Sequence, residues 1–172
     1  RPYDECVSWI AKRFDEAAGE LKATRAYSAL DMGRANYVAA LAIKSRMLLY
    51  AASPLFNGNS EYYADFKNKN GEQLISQTYD KEKWKTALDA AAEAIAAAEK
   101  EGYKLFRFKS DGSLTPAEAA YQTARNMITT LPREISDNPD MIWVDSRSPV
   151  NSQQMYAIRG LTNNSVSVPY GG

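Results

Sequence analysis

Apolar residues recur at three- and four-residue steps over residues 2–21, at Val7, Ile10, Phe14, Ala17, Ala18 and Leu21, and this spacing predicts an amphipathic helix. Pro2 suits its first turn and Asp4 its electropositive end. A second helix is expected over about residues 34–52, ended by Pro54, which biases Ser53 away from helical geometry. The two should pack antiparallel. Residues 57–78 are polar, with Gly58, Gly71, several Asn and the aromatics Tyr62, Tyr63 and Phe66, and they read as a long loop. A third helix starts after Asp80, carries Trp84, Leu88, Ala91, Ile95 and Ala98 on one face, and stops at Gly102.

Thr115-Pro116-Ala117-Glu118 has the form of a capping box with proline in the first turn, so a fourth helix should run to about residue 130. Its stripe is Ala120, Tyr121, Ala124, Met127, Ile128 and Leu131. The short apolar run 141–144, between Pro139 and a Ser/Pro cluster, reads as a strand. These elements give a mainly all-α fold: antiparallel helix pairs, TPR-like in layout although no repeat consensus is legible, with long loops and one strand-like segment near 141–144. Ala39, Ala42, Ala87, Ala91 and Ala94 would let helix backbones approach closely. Residues 1–172 are read as a single α-helical segment.

Charge narrows the function classes. Lys+Arg and Asp+Glu each number 21, so the net charge is zero and no overall footprint for nucleic acid is present. Histidine is absent, which removes the commonest catalytic base and every histidine-based metal set. The single Cys6 has no partner for a disulfide or a CxxC metal site and reads as a small buried hydrophobe. No apolar run approaches the roughly 18 residues of a membrane-spanning helix. The chain begins at Arg1 without an initiator Met and ends in a loop-like stretch, so it reads as a piece of a longer protein.

The run from Gly33 to Asn57 (GRANYVAALAIKSRMLLYAASPLFN) joins a small-residue helix to an enforced stop and an immediate loop. It resembles the signature helix of the SusD/RagB family. Three further stretches match that family in order: PYDECV from Pro2, YDKEKW from Tyr79 and NPDMIW from Asn138. The resemblance spans residues 2–144 and implies the α-helical, TPR-bearing half of a longer protein. It implies a nutrient-binding, usually glycan-binding, lipoprotein of the Bacteroidetes outer membrane, held at the cell surface by a lipid anchor outside this chain. Its expected partners are an oligosaccharide or other nutrient and a SusC-like TonB-dependent transporter. The resemblance implies binding without chemistry: no catalytic residue, no metal and no cofactor. Two rival readings are an interaction module that docks the transporter while the ligand site lies elsewhere, and a carboxylate-based glycoside hydrolase.

Sugar binding needs flat apolar faces to stack on rings and amides or carboxylates to bond hydroxyls. The loop holds that mixture most densely, so Asn57, Asn59, Tyr62, Tyr63 and Phe66 are the candidate ligand-binding residues. The competing reading of Tyr62 and Phe66 is that they anchor the loop to the helices. Asp15 with Glu16 and Asp137 with Asp140 are the available carboxylate pairs, read as surface charge and turn chemistry instead of the facing acids of a glycosidase. Segments 65–71 and 111–113 lack the ligand spacing of a calcium loop. Trp84 and Trp143 are expected in the core, Trp9 at its edge, and Lys44 and Arg46 on a solvated face.

Overall fold

The computed structural model describes residues 1–23, 33–109, 111–129 and 138–143. Among these, five helices form: α1 Tyr3–Ala23, α2 Tyr37–Ala52, α3 Ser60–Tyr63, α4 Glu82–Lys100 and α5 Pro116–Thr129. The fold is mainly helical, as the periodicity predicts, and no strand occurs among the described residues.

Helix α2 is the centre. Asn36 caps it by accepting from the Ala39 amide at 2.9 Å, and Ser53 closes it in extended geometry just before Pro54. Val38, Leu41 and Ala40 pack with Ala18 of α1 and Ala94 of α4, while Leu48 and Ala52 pack with Ala87 and Ala90 of α4 and with Val7 and Ala11 of α1. The start of α1 therefore meets the end of α2, and the end of α4 meets its start. Both neighbours run antiparallel to α2 and hence parallel to each other. Small residues on the α4 face allow the helix backbones to come close.

Two lysines, through three ion pairs, tie α1 to α4. Lys83 reaches Asp4 at 2.7 Å near both helix starts. Lys44, projecting from α2, reaches Asp15 at 2.5 Å and Glu93 at 3.1 Å. Its side chain is only 12% exposed, so the expectation of a solvated Lys44 is corrected: its stem is covered by the two helices and its ammonium is shared by two carboxylates. Arg46 is exposed, with its guanidinium over the Tyr50 ring.

The buried face of α4 also departs from expectation. Ala87, Ala90 and Ala94 are buried, whereas Trp84 (40% exposed), Leu88 and Ile95 face outward. The helix has two apolar stripes about 100° apart by helical geometry. The alanine stripe packs because α2 comes too close for larger side chains. Ala91 and Ala98 are half-buried at its margin. On α1, Val7, Phe14, Ala18 and Leu21 face inward as expected, but Ile10 and Ala17 are exposed. Cys6 and Trp9 are exposed too, with the Arg13 guanidinium over the Trp9 ring. Neither is a core residue.

The α4 terminus is a Schellman motif. Gly102 takes φ +88°, its amide bonds Glu99, the Tyr103 amide bonds Ala98, and the buried Tyr103 ring packs on the helix end. At its start the Asp80 carboxylate accepts from the Glu82 amide at 2.9 Å. The α5 capping box forms as predicted: the Thr115 hydroxyl donates to the Glu118 carboxylate at 2.7 Å and the Thr115 amide at 2.8 Å, and these bonds, the hydroxyl's first, depress the Glu118 pKa. No other helix packs against α5 among the described residues. It is held by the Phe108 amide on the Thr123 hydroxyl and the Asn138 amide on the Met127 carbonyl.

Residues 138–143 form a turn and a bend, which corrects the strand expected over 141–144; Val144, like Leu131 and Asp137, lies outside the described residues. The segment instead makes single hydrogen bonds in three directions, accepting two and donating one. Asn36 Nδ2 bonds the Ile142 carbonyl, the Lys104 amide bonds the Pro139 carbonyl, and the Trp143 indole, exposed and not in the core, donates to the Gly33 carbonyl at 2.9 Å.

Two outcomes follow. Replacing Lys44 by Ala should lower unfolding stability by about 1–2 kcal/mol in urea titration, combining lost stem packing with partly exposed ion pairs. Burial pulls the Lys44 pKa down, but hydrogen bonds and charges from Asp15 and Glu93 outweigh it and the net shift is upward. The ammonium's contribution is then complete below the ordinary lysine pKa and is lost only as pH rises through the higher folded value, so the cost of Lys44→Ala should stay constant across neutral pH and shrink above about pH 10.5. Replacing Gly58 by Ala should cost about 2–4 kcal/mol, since φ is +80° and a Cβ would lie 2.4 Å from the Tyr79 amide nitrogen, with only backbone to give way.

Candidate functional site

The segment between α2 and α4 is built on one buried side chain. Asn57 is 3% exposed; its Nδ2 donates to the carbonyls of Asp80 at 2.8 Å and Ala52 at 3.3 Å, and its Oδ1 accepts from the Asp80 amide at 2.8 Å. It joins the end of α2 to the start of α4. Of the five sequence candidates, Asn57 is thus corrected from a ligand-facing group to an internal latch. Asn59 caps the short α3 by accepting from the Tyr62 amide at 3.0 Å, a role that orients Tyr62.

Four aromatic rings then run in series. Tyr3 of α1 stacks on Phe56 at 4.9 Å between centroids, Phe56 on Tyr63 at 6.3 Å, and Tyr63 meets Phe66 at 6.0 Å with a 53° tilt. Tyr63 is half-buried and belongs to this ladder, whereas Phe66 at its outer end is 51% exposed and Tyr62 is 70% exposed. Burial raises the Tyr3 pKa, helped by Asp4 and Tyr63, so its hydroxyl stays protonated at neutral pH. Its amide donates to the Leu74 carbonyl at 2.7 Å, fixing the far side of the loop to α1.

Two glutamines complete the support. Gln73 donates to the Tyr63 carbonyl at 2.6 Å, Gln77 donates to the same carbonyl at 3.2 Å, and Asn68 closes the tip by accepting from the amides of Asn70 and Glu72. The single bridge between Lys67 and Gln73 pins the two arms together. Tyr3, Phe56, Gln73 and Gln77 were not legible as parts of this site. The one available signal was the Leu55-Phe56 pair directly after Pro54, an apolar step where a loop begins.

The outcome is a loop backed by α1 and α4 on which the side chains of Tyr62 and Phe66 are exposed, with Asn59, Glu61 and Asp65 close by in sequence. Such a surface can stack against a ring and bond hydroxyls. No group of three or more His, Cys, Asp or Glu able to hold a metal occurs among the described residues, and none of their helices is long and apolar enough to cross a membrane. The carboxylate pair Asp15 and Glu16 is engaged separately, by Lys44 and by Arg13. Asp137, the partner proposed for Asp140, lies outside the described residues.

Among solved structures the chain is similar to BT4246, with 32% identity and a TM-score of 0.72 over 99% of this chain and 32% of that one. It is similar also to selenomethionine BT4246, at 33% identity and a TM-score of 0.65, over 92% of this chain and 30% of that one. The chain spans about a third of the length of these structures. No family model and no curated protein matches it.

Asn57→Ala should destabilise the fold by about 2–3 kcal/mol, because the backbone groups of Asp80 and Ala52 would lose their buried partner. Equilibrium denaturation measures this, and Asn57→Asp should not restore stability since it supplies no donor to the two carbonyls.

Proposed function

We propose that this chain is the helical portion of a SusD-like, cell-surface nutrient-binding protein that captures oligosaccharide without making or breaking a bond and passes it to a TonB-dependent transporter. The exposure of Phe66 at the outer end of an aromatic ladder rooted in α1, and of Tyr62 on the same loop, carries this reading. Stacking supplies affinity, while Asn59, Glu61 and Asp65 select among hydroxyl patterns. The ordered resemblance of four sequence stretches to the SusD/RagB family supports the assignment, and lipid anchoring at the outer membrane follows from that family, through a segment outside this chain.

A second reading has its own support. Trp84, Leu88 and Ile95 of α4 form an exposed apolar stripe that continues toward Leu105, beside a hollow of about 200 Å³ lined by Ala98, Tyr103 and Ile142. An outward stripe of this kind suits a protein neighbour, such as the transporter or the remainder of a longer polypeptide. Under this reading the chain docks and the sugar site lies elsewhere.

Affinity electrophoresis against an oligosaccharide panel separates the two. The binding reading expects retention by the chain, with Tyr62→Ala and Phe66→Ala each weakening it about fivefold, the equivalent of one stacking contact. Unchanged retention in both variants removes the loop as the site. Retention by a longer polypeptide but not by this chain favours docking.

A further inference from the structure

A second hollow lies between α1 and α4, well away from the aromatic loop. It measures about 460 Å³, with Ala18, Leu41 and Ala97 giving an apolar floor and the Tyr37 ring closing one side. That volume is within the range of a small-molecule site. Its charges have a structural origin. Lys22 and Lys100 sit in the last turns of α1 and α4, where ammonium groups offset the carbonyl end of the helix dipole. Because the two helices run parallel to each other along α2, both last turns fall at the same end of the assembly and both cations line the same hollow.

The acidic groups nearby are already engaged. Asp15 and Glu93 wall the end toward Lys44 and both bond its ammonium, and Glu101 accepts the Tyr37 hydroxyl at 2.6 Å. Lys22 is held over the Tyr37 ring with its Nζ 5.6 Å from the centroid, which orders the cation without neutralising it. Among the described residues, no atom outside the helix's own backbone lies within 4 Å of where a Cβ on Gly19 at the rim would stand.

We infer that this hollow binds a small amphipathic carboxylate, its apolar body on Ala18, Leu41 and Ala97 and its anionic head between Lys22 and Lys100. This inference is independent of the sugar-binding reading. An uncharged ligand of the same shape gains only the floor.

Isothermal titration of the chain with phenylbutyrate, and with phenylbutanol as its uncharged counterpart, tests the inference. Saturable binding of the acid is expected, weakened about tenfold in the Lys22→Ala/Lys100→Ala double variant and weakened by added salt. The alcohol should bind no better than the double variant binds the acid. Ala96→Phe, at an exposed wall position, should block the acid while the circular-dichroism melt of the fold is retained. Absence of saturable binding of the acid, equal binding of acid and alcohol, or an unaffected double variant would each overturn the assignment.

Discussion

Close contact between the small-residue faces of α2 and its two neighbours is the constraint on which everything else depends. Ala52, Ala87, Ala90 and Ala94 contribute little area each, but their size lets Val38, Leu41 and Leu48 be covered from both sides. Burying each of those larger side chains is worth about 1.5–3 kcal/mol. A helix with bulky residues on that face of α4 could not approach so closely. Lys44 then crosses the waist of the assembly, where its two carboxylates set the spacing of α1 and α4.

Function follows from that geometry twice over. The parallel course of α1 and α4 places their starts together, so Tyr3 at the head of α1 can support Phe56 and Tyr63 beside the head of α4, with Asn57 locking the loop to Asp80. It places their ends together as well, which brings Lys22 and Lys100 to one hollow. The aromatic loop is therefore anchored to a rigid body despite having little regular structure of its own. By contrast α5 rests on capping and a few single hydrogen bonds, with its Tyr121 exposed.

The helices were legible because their signals are local. Pro54, Gly102 and the Thr115/Glu118 box act within one turn of themselves, and each ends or starts a helix where its chemistry dictates, whereas the Asn36 cap starts α2 at Tyr37, later than the expected residue 34. The face of α4 was not legible, because both of its stripes are apolar and only the proximity of α2 decides between alanine and Trp84, Leu88 and Ile95. Lys44 misled for the same reason: a lysine in an apolar run looks solvated unless its two distant carboxylates are known. At the candidate site the exposed aromatics could be picked out, whereas the internal role of Asn57 depends on Asp80, 23 residues away. The run 141–143 looked like a strand, but strand pairing needs a neighbour, and its backbone instead meets single side chains and amides from several directions.

Amide hydrogen exchange across the chain bears most directly on the claim that α2 and its small-residue contacts hold the structure together. The account predicts that amides from Leu41 to Leu48 exchange slowest and only through global unfolding, that the inner turns of α1 and α4 open in the same event, and that Ala119 to Arg125 of α5 exchange through a much less costly local opening. Protection in α5 equal to that in α2, or a central α2 that exchanges while α1 and α4 stay closed, would contradict it.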